Sequence, residues 1–118
     1  MGIFIRKSQA LHLLEKYHKI NWKYLSKNPQ ALHLLEKYPD KINWYNLSEN
    51  PSAIHLLEKH PDKINWWKLS KNPNAIHLLE KNINKIGWNF LSENPSIFEN
   101  DIKQYNIDLK KKAHNIYY

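Results

Sequence analysis

An all-α fold, a short α-solenoid of stacked two-helix repeats closed by a C-terminal capping helix, is what this sequence predicts, and three observations predict it. Trp22, Trp44, Trp66 and Trp88 stand 22 residues apart. The text around them repeats almost word for word, from Lys41-Ile42-Asn43-Trp44 to Ile54-His55-Leu56-Leu57-Glu58. Within the unit, apolar residues recur at helical spacing: Ala31, Leu32, Leu34, Leu35 and Tyr38 span one broad arc of a helical wheel, with His33, Glu36 and Lys37 opposite. A period of this length marks an array whose units cannot bury their apolar faces alone, so function is to be sought on a surface.

Residues 1–9 form the N-terminal cap, in which Ile3, Phe4 and Ile5 alone are available to shield the first unit. That thin shield makes self-association through this end an expectation. Residues 10–95 hold the repeats. Asn28-Pro29, Asn50-Pro51, Asn72-Pro73 and Asn94-Pro95 each place an N-cap side chain before a proline, whose missing N–H is no loss at the first helical position. The helix begun there is called B. A second helix, A, starts at Ile-Asn-Trp: with Asn43 as N-cap, Ile42 and Leu47 occupy the two positions of a hydrophobic staple. In the fourth unit that Asn becomes Gly87, a residue tolerated at a cap but costing about 1 kcal/mol inside a helix. Tyr38-Pro39-Asp40 and His60-Pro61-Asp62 turn the chain from B to A. The first unit is one residue shorter there, and the fourth reads Asn82-Ile83-Asn84, so the turns at the ends should differ. The broad arc on helix B implies contact on three sides, with Ala31 and Leu35 toward helix A and Leu32 and Leu34 toward neighbouring units; Trp44 and Leu47 supply the facing surface of A. Residues 96–118 are a degenerate last repeat and a longer capping helix, whose stripe Ile102, Tyr105, Leu109, Ala113 and Ile116 should close the array.

The chain of 118 residues is a single domain with no cysteine, which removes disulfides and thiolate chemistry and fits a reducing compartment. No stretch is long and apolar enough to span a bilayer, the opening Met1 to Arg6 is too short for a signal peptide, and Arg6 stands where a myristoylation pattern wants Ser or Thr. The expectation is a soluble, intracellular protein without membrane partners.

The unit from Asp62-Lys63-Ile64-Asn65-Trp66 through Asn72-Pro73-Asn74-Ala75-Ile76-His77-Leu78-Leu79-Glu80 resembles the short tandem repeat of giant DNA viruses of protists, the mimivirus-like group, and Asn94-Pro95-Ser96-Ile97-Phe98-Glu99 is similar to the way such arrays close. The resemblance covers about residues 8–102. It implies a virus-encoded helical repeat protein of the host cytoplasm or the virion, and it transfers no activity and no site residues.

A net charge of +7 invites a nucleic-acid reading, but residues 10–102 hold 12 Lys against 10 Asp or Glu. The excess sits at the ends, in Arg6, Lys7, Lys103 and Lys110-Lys111-Lys112. A groove for phosphates would carry a basic residue on the same face of every unit. Here the position after the helix A serine runs Lys27, Glu49, Lys71, Glu93, an alternation that favours ion pairs between units.

His12, His33, His55 and His77 recur at one place in helix B. Units packed about 8 to 10 Å apart hold them too far from one another to share a metal with bonds near 2 Å, so the sequence calls for no metal and no cofactor, and the histidines are read as a structural brace between repeats. The two residues after each Trp change from unit to unit: Lys23-Tyr24, Tyr45-Asn46, Trp67-Lys68 and Asn89-Phe90. Each pair keeps one aromatic, so Tyr24, Tyr45, Trp67, Lys68 and Phe90 are the candidate binding residues, able to anchor a partner as aromatic hot spots do or to pack beside a neighbouring helix. Ser26, Ser48, Ser70 and Ser92 have no unique base beside them, and four equivalent copies of every polar group do not make one asymmetric pocket. The function expected is therefore a non-enzymatic scaffold for an unidentified protein partner. The alternatives are a single-stranded nucleic-acid-binding module and a structural virion component.

Overall fold

The computed structural model describes residues 8–117, with the side chains of 99–104 and 115–117 outside that description. The expected shield of Ile3, Phe4 and Ile5 lies outside the described residues. The fold is all-α: among the described residues there is no strand.

Each repeat folds as two helices of unequal kind. The A helices are single turns, α2 (Trp22–Leu25), α4 (Trp44–Leu47), α6 (Trp66–Leu69) and α8 (Trp88–Leu91). The B helices are α1 (Gln9–Lys16), α3 (Leu32–Lys37), α5 (Ile54–Lys59) and α7 (Ile76–Glu80). Pro29–Ala31 and Pro51–Ala53 form 3₁₀ turns that lead into α3 and α5, so helix B starts tighter than its Asn-Pro signal suggests. Further 3₁₀ turns at Pro39–Lys41, Pro61–Lys63 and Ile83–Lys85 carry B back to A. The shortened first turn differs as expected: His18 takes φ of 53° and the Lys19 N–H reaches the Leu14 carbonyl at 2.8 Å. The fourth turn keeps the common form without its proline.

Both start signals operate. The Asn21, Asn43 and Asn65 side chains accept from the N–H three residues on, at 3.0 to 3.1 Å. Asn28, Asn50, Asn72 and Asn94 accept from the N–H two residues on, at 2.9 to 3.0 Å.

The core is a column in which every unit contributes the same positions: Leu35, Leu57 and Leu79 from helix B, Leu47 and Leu69 from helix A, and Ala31, Ala53 and Ala75 at the start of B, all buried. The alanines are required small because successive B starts approach one another there. Each buried leucine contributes roughly 1.5 to 3 kcal/mol. The tryptophans are less deeply placed. Trp22, Trp44 and Trp66 are half-buried against the column, covered by the following unit: Tyr38 meets Trp22 edge-on at 5.7 Å, His60 meets Trp44 at 5.1 Å, and Lys63 and Lys85 lie over Trp44 and Trp66 at 5.8 and 4.9 Å. Trp88, with no full unit after it, is 61% exposed.

The C-terminal helix α9 (Glu99–Tyr117) forms where expected, after a 3₁₀ turn at Pro95–Phe98. Its expected closing stripe does not close the array: Tyr105, Leu109 and Ala113 are exposed, as are all the side chains from 105 to 114, while the side chains of Ile102 and Ile116 lie outside the description. Tyr105 occupies the register of Pro39, Pro61 and Ile83, where the other units turn, and the positions of Ile42, Asn43 and Trp44 are filled by Asp108, Leu109 and Lys110, so no second helix start follows. Without one the helix runs straight on, away from the column.

Candidate binding surface

What joins the units is a polar ladder inside the column. The Asn50 amide donates to the Ser26 and Asn28 carbonyls at 3.0 and 3.1 Å; Asn72 repeats this on Ser48 and Asn50 at 3.1 and 2.9 Å, and Asn94 on Ser70 and Asn72 at 2.9 Å each. Asn50 and Asn72 have no exposed surface, and Asn94 has 2%. Beside this runs a rung of serines. The Ser26, Ser48 and Ser70 hydroxyls each donate to the carbonyl of the tryptophan four residues back, at 2.7 to 2.8 Å, and accept the backbone N–H of Asn43, Asn65 and Gly87 in the next unit at 2.9 to 3.0 Å. Every buried side-chain polar atom among the described residues has a partner, as burial demands.

The bracing assigned to the histidines therefore belongs to Asn and Ser. His12, His33, His55 and His77 are exposed, because the wheel that turns Leu35 inward turns His33 outward. Of the four, His77 meets another unit, its Nε2 at 3.1 Å from Glu58 Oε1. The signal for the ladder was in the sequence: an N-cap uses only the amide oxygen of Asn, and an asparagine recurring at a crowded site needs acceptors for its two N–H donors as well.

The expected ion pairs between units form along the outer edge. Glu49 lies 3.8 Å from Lys27, 3.4 Å from Lys71 and 3.3 Å from Lys68, and Lys71 reaches Glu93 at 3.4 Å. Burial pushes the Glu49 carboxyl up, but hydrogen bonds and charge from Lys68 and Lys71 outweigh it and hold the group below the ordinary carboxylate value. Partial burial pulls Lys71 down, and Glu49 and Glu93 outweigh it and raise it. A lowered carboxylate contributes stability that is present above its unfolded pKa and lost as pH falls through the folded one. The melting-temperature advantage of the wild type over Glu49→Gln is thus expected to be full near neutrality, to shrink below about pH 4, and to shrink in high salt. A pH-independent difference would show that the pairs carry no stabilisation.

The unit-specific positions lie on the same edge, and the structure explains their variation as matched pairs. The first residue after each Trp meets the second residue after the next Trp. Asn46, buried, donates its amide to the Lys23 carbonyl at 2.9 Å; Lys68 lies over the Tyr45 ring at 4.7 Å; Phe90 stacks on Trp67 with centroids 6.0 Å apart and planes 27° apart. Gly87 belongs to the last pair. A Cβ there would stand 3.0 Å from Trp67 Cδ1 and 3.1 Å from Phe90 Cδ2, so the Asn found at 21, 43 and 65 would crowd the stacked rings at this position. The packing expectation holds for Phe90, half-buried, and for Lys68, which is occupied by Glu49 and Tyr45. It does not hold for Tyr24, Tyr45 and Trp67, which are 67%, 51% and 64% exposed.

No His, Asp and Glu among the described residues converge on a metal-sized site, and no described helix is long and apolar enough to cross a membrane. No family model matches the chain, and no curated protein or solved structure is similar to it.

Proposed function

We propose that this chain is a non-enzymatic repeat scaffold that binds a protein partner along the edge bearing Tyr24, Tyr45, Trp67, Lys68 and Phe90, and, following the sequence resemblance, that it is virus-encoded. The observation that carries the reading is Trp67. Its ring stacks on Phe90 beside the bare backbone of Gly87, yet nearly two thirds of its surface faces water. A large ring held in one place loses little entropy on binding, which is the character of an interface anchor.

The charges beside it support a protein rather than a nucleic acid. Three cations on this edge, Lys27, Lys68 and Lys71, are already paired with Glu49 and Glu93. A strand-binding platform needs unpaired cations along the backbone track beside its stacking rings.

The test is a quantitative pull-down from infected cells with the wild type, Trp67→Ser and Phe90→Ser, alongside thermal melts. A partner retained by the wild type and lost by both variants, with melts unchanged for Trp67→Ser, is the expected result. Retention of every partner by Trp67→Ser would overturn the reading. So would steeply salt-dependent binding of random single-stranded RNA at micromolar protein.

A further inference from the structure

The ladder has a direction, and its two ends are complementary. In the Asn and Ser rungs every cross-unit donor belongs to the later unit and every acceptor to the earlier one. Among the described residues the first full unit's donors have no ladder acceptor: the Asn21 N–H has none, and the Asn28 amide uses its oxygen on the Gln30 N–H and leaves its nitrogen unbonded. The last unit presents the acceptors. The Ser92 hydroxyl donates to the Trp88 carbonyl at 3.0 Å and, exposed, receives no N–H among the described residues. The edge pairs end the same way: among the described residues Tyr24 has no earlier partner and Asn89 no later one, and both are exposed. Trp88 lacks the lysine that overlies Trp44 and Trp66.

We infer that copies of this chain associate head to tail, the first full unit of one copy continuing the ladder on the last unit of another. In that register Asn21 and Asn28 donate to Ser92 and to the Ser92 and Asn94 carbonyls, Tyr24 meets Asn89, and Lys19, the counterpart of Lys63 and Lys85, covers Trp88. The inference goes beyond the scaffold reading and does not depend on it, since it concerns the purified chain alone.

One element must give way. α1 and α9 begin at the same place in the repeat, so at the junction they compete for one slot. α9 is held there at its start by the buried Asn94. α1 buries no residue, leaves Leu13 54% exposed, and is separated from the first full unit by a groove of about 310 Å³ lined by Leu11, Leu14, Leu25 and Leu34. α1 is the one displaced. Because the contact joins unlike surfaces, it does not close on itself at two copies.

Sedimentation velocity over a concentration series tests this. The wild type is expected to grow in weight-average mass past twice its 14.2 kDa as concentration rises. Trp88→Asp spoils only the trailing end and Tyr24→Asp only the leading end; both sites are exposed, and melts check that each variant folds. Each alone should stay monomeric, and their equimolar mixture should form a heterodimer that grows no further. A wild type that stays monomeric at every concentration overturns the inference, as does an oligomer that stops at two or a mixture that stays monomeric.

Discussion

Asn72→Asp is expected to destabilise the protein by about 3 to 5 kcal/mol, although aspartate is as good an N-cap as asparagine. The capping oxygen on the Asn74 N–H would survive, but the amide nitrogen that donates to the Ser48 and Asn50 carbonyls becomes a second oxygen. That leaves a buried charge facing two carbonyl oxygens with no water to relieve it. The same change at Asn28 should fall within about 0.5 kcal/mol, because Asn28 is exposed and among the described residues its amide nitrogen donates to nothing. Chemical denaturation of the two variants separates the roles. Equal, small effects would mean that Asn72 only caps a helix.

The second large effect is expected at Leu69, which has no exposed surface and sits in the column between the third and fourth units. Leu69→Ala should cost about 2 to 5 kcal/mol, the transfer term plus the cavity left behind, and lower Tm by roughly 10 °C or more. Leu109→Ala, at an exposed position in α9, should leave Tm nearly unchanged. A comparable loss at Leu109 would mean that α9 packs on the array in solution and that the expected closing stripe works after all.

The repeat frame was legible because it rests on short-range signals. Asn43 and Pro51 mark helix starts by local hydrogen bonding and by a missing donor, and the arc through Ala31 and Leu35 marks an inward face. The Lys27, Glu49, Lys71, Glu93 alternation was legible for a related reason, since equivalent positions in stacked units become neighbours. The histidines misled because recurrence was read as a cross-unit role, while their place on the wheel pointed to water. The recurring Asn and Ser mark one partner of each rung, but the other partner is a backbone carbonyl or amide 17 to 24 residues away, which side-chain pattern does not identify. The matched pairs at 45 and 68 and at 67 and 90 needed the offset between adjacent A helices, which periodicity alone does not supply. α9 does not fold back because no second helix start follows it: Ile83 turns without a proline, but the register of Ile42-Asn43-Trp44 is filled by Asp108, Leu109 and Lys110.

The claim that stacking is carried by this ladder has an internal control in Asn21, Asn43 and Asn65. All three lie in the same Ile-Asn-Trp context, so their backbone amides share one intrinsic exchange rate. The Asn43 and Asn65 amides donate to Ser26 and Ser48, whereas Asn21 has no serine before it to accept. Amide hydrogen exchange, read by NMR at a dilution where the chain is monomeric, is predicted to show Asn43 and Asn65 protected close to the level of global unfolding and Asn21 exchanging almost freely. Equal exchange at the three asparagines would contradict it.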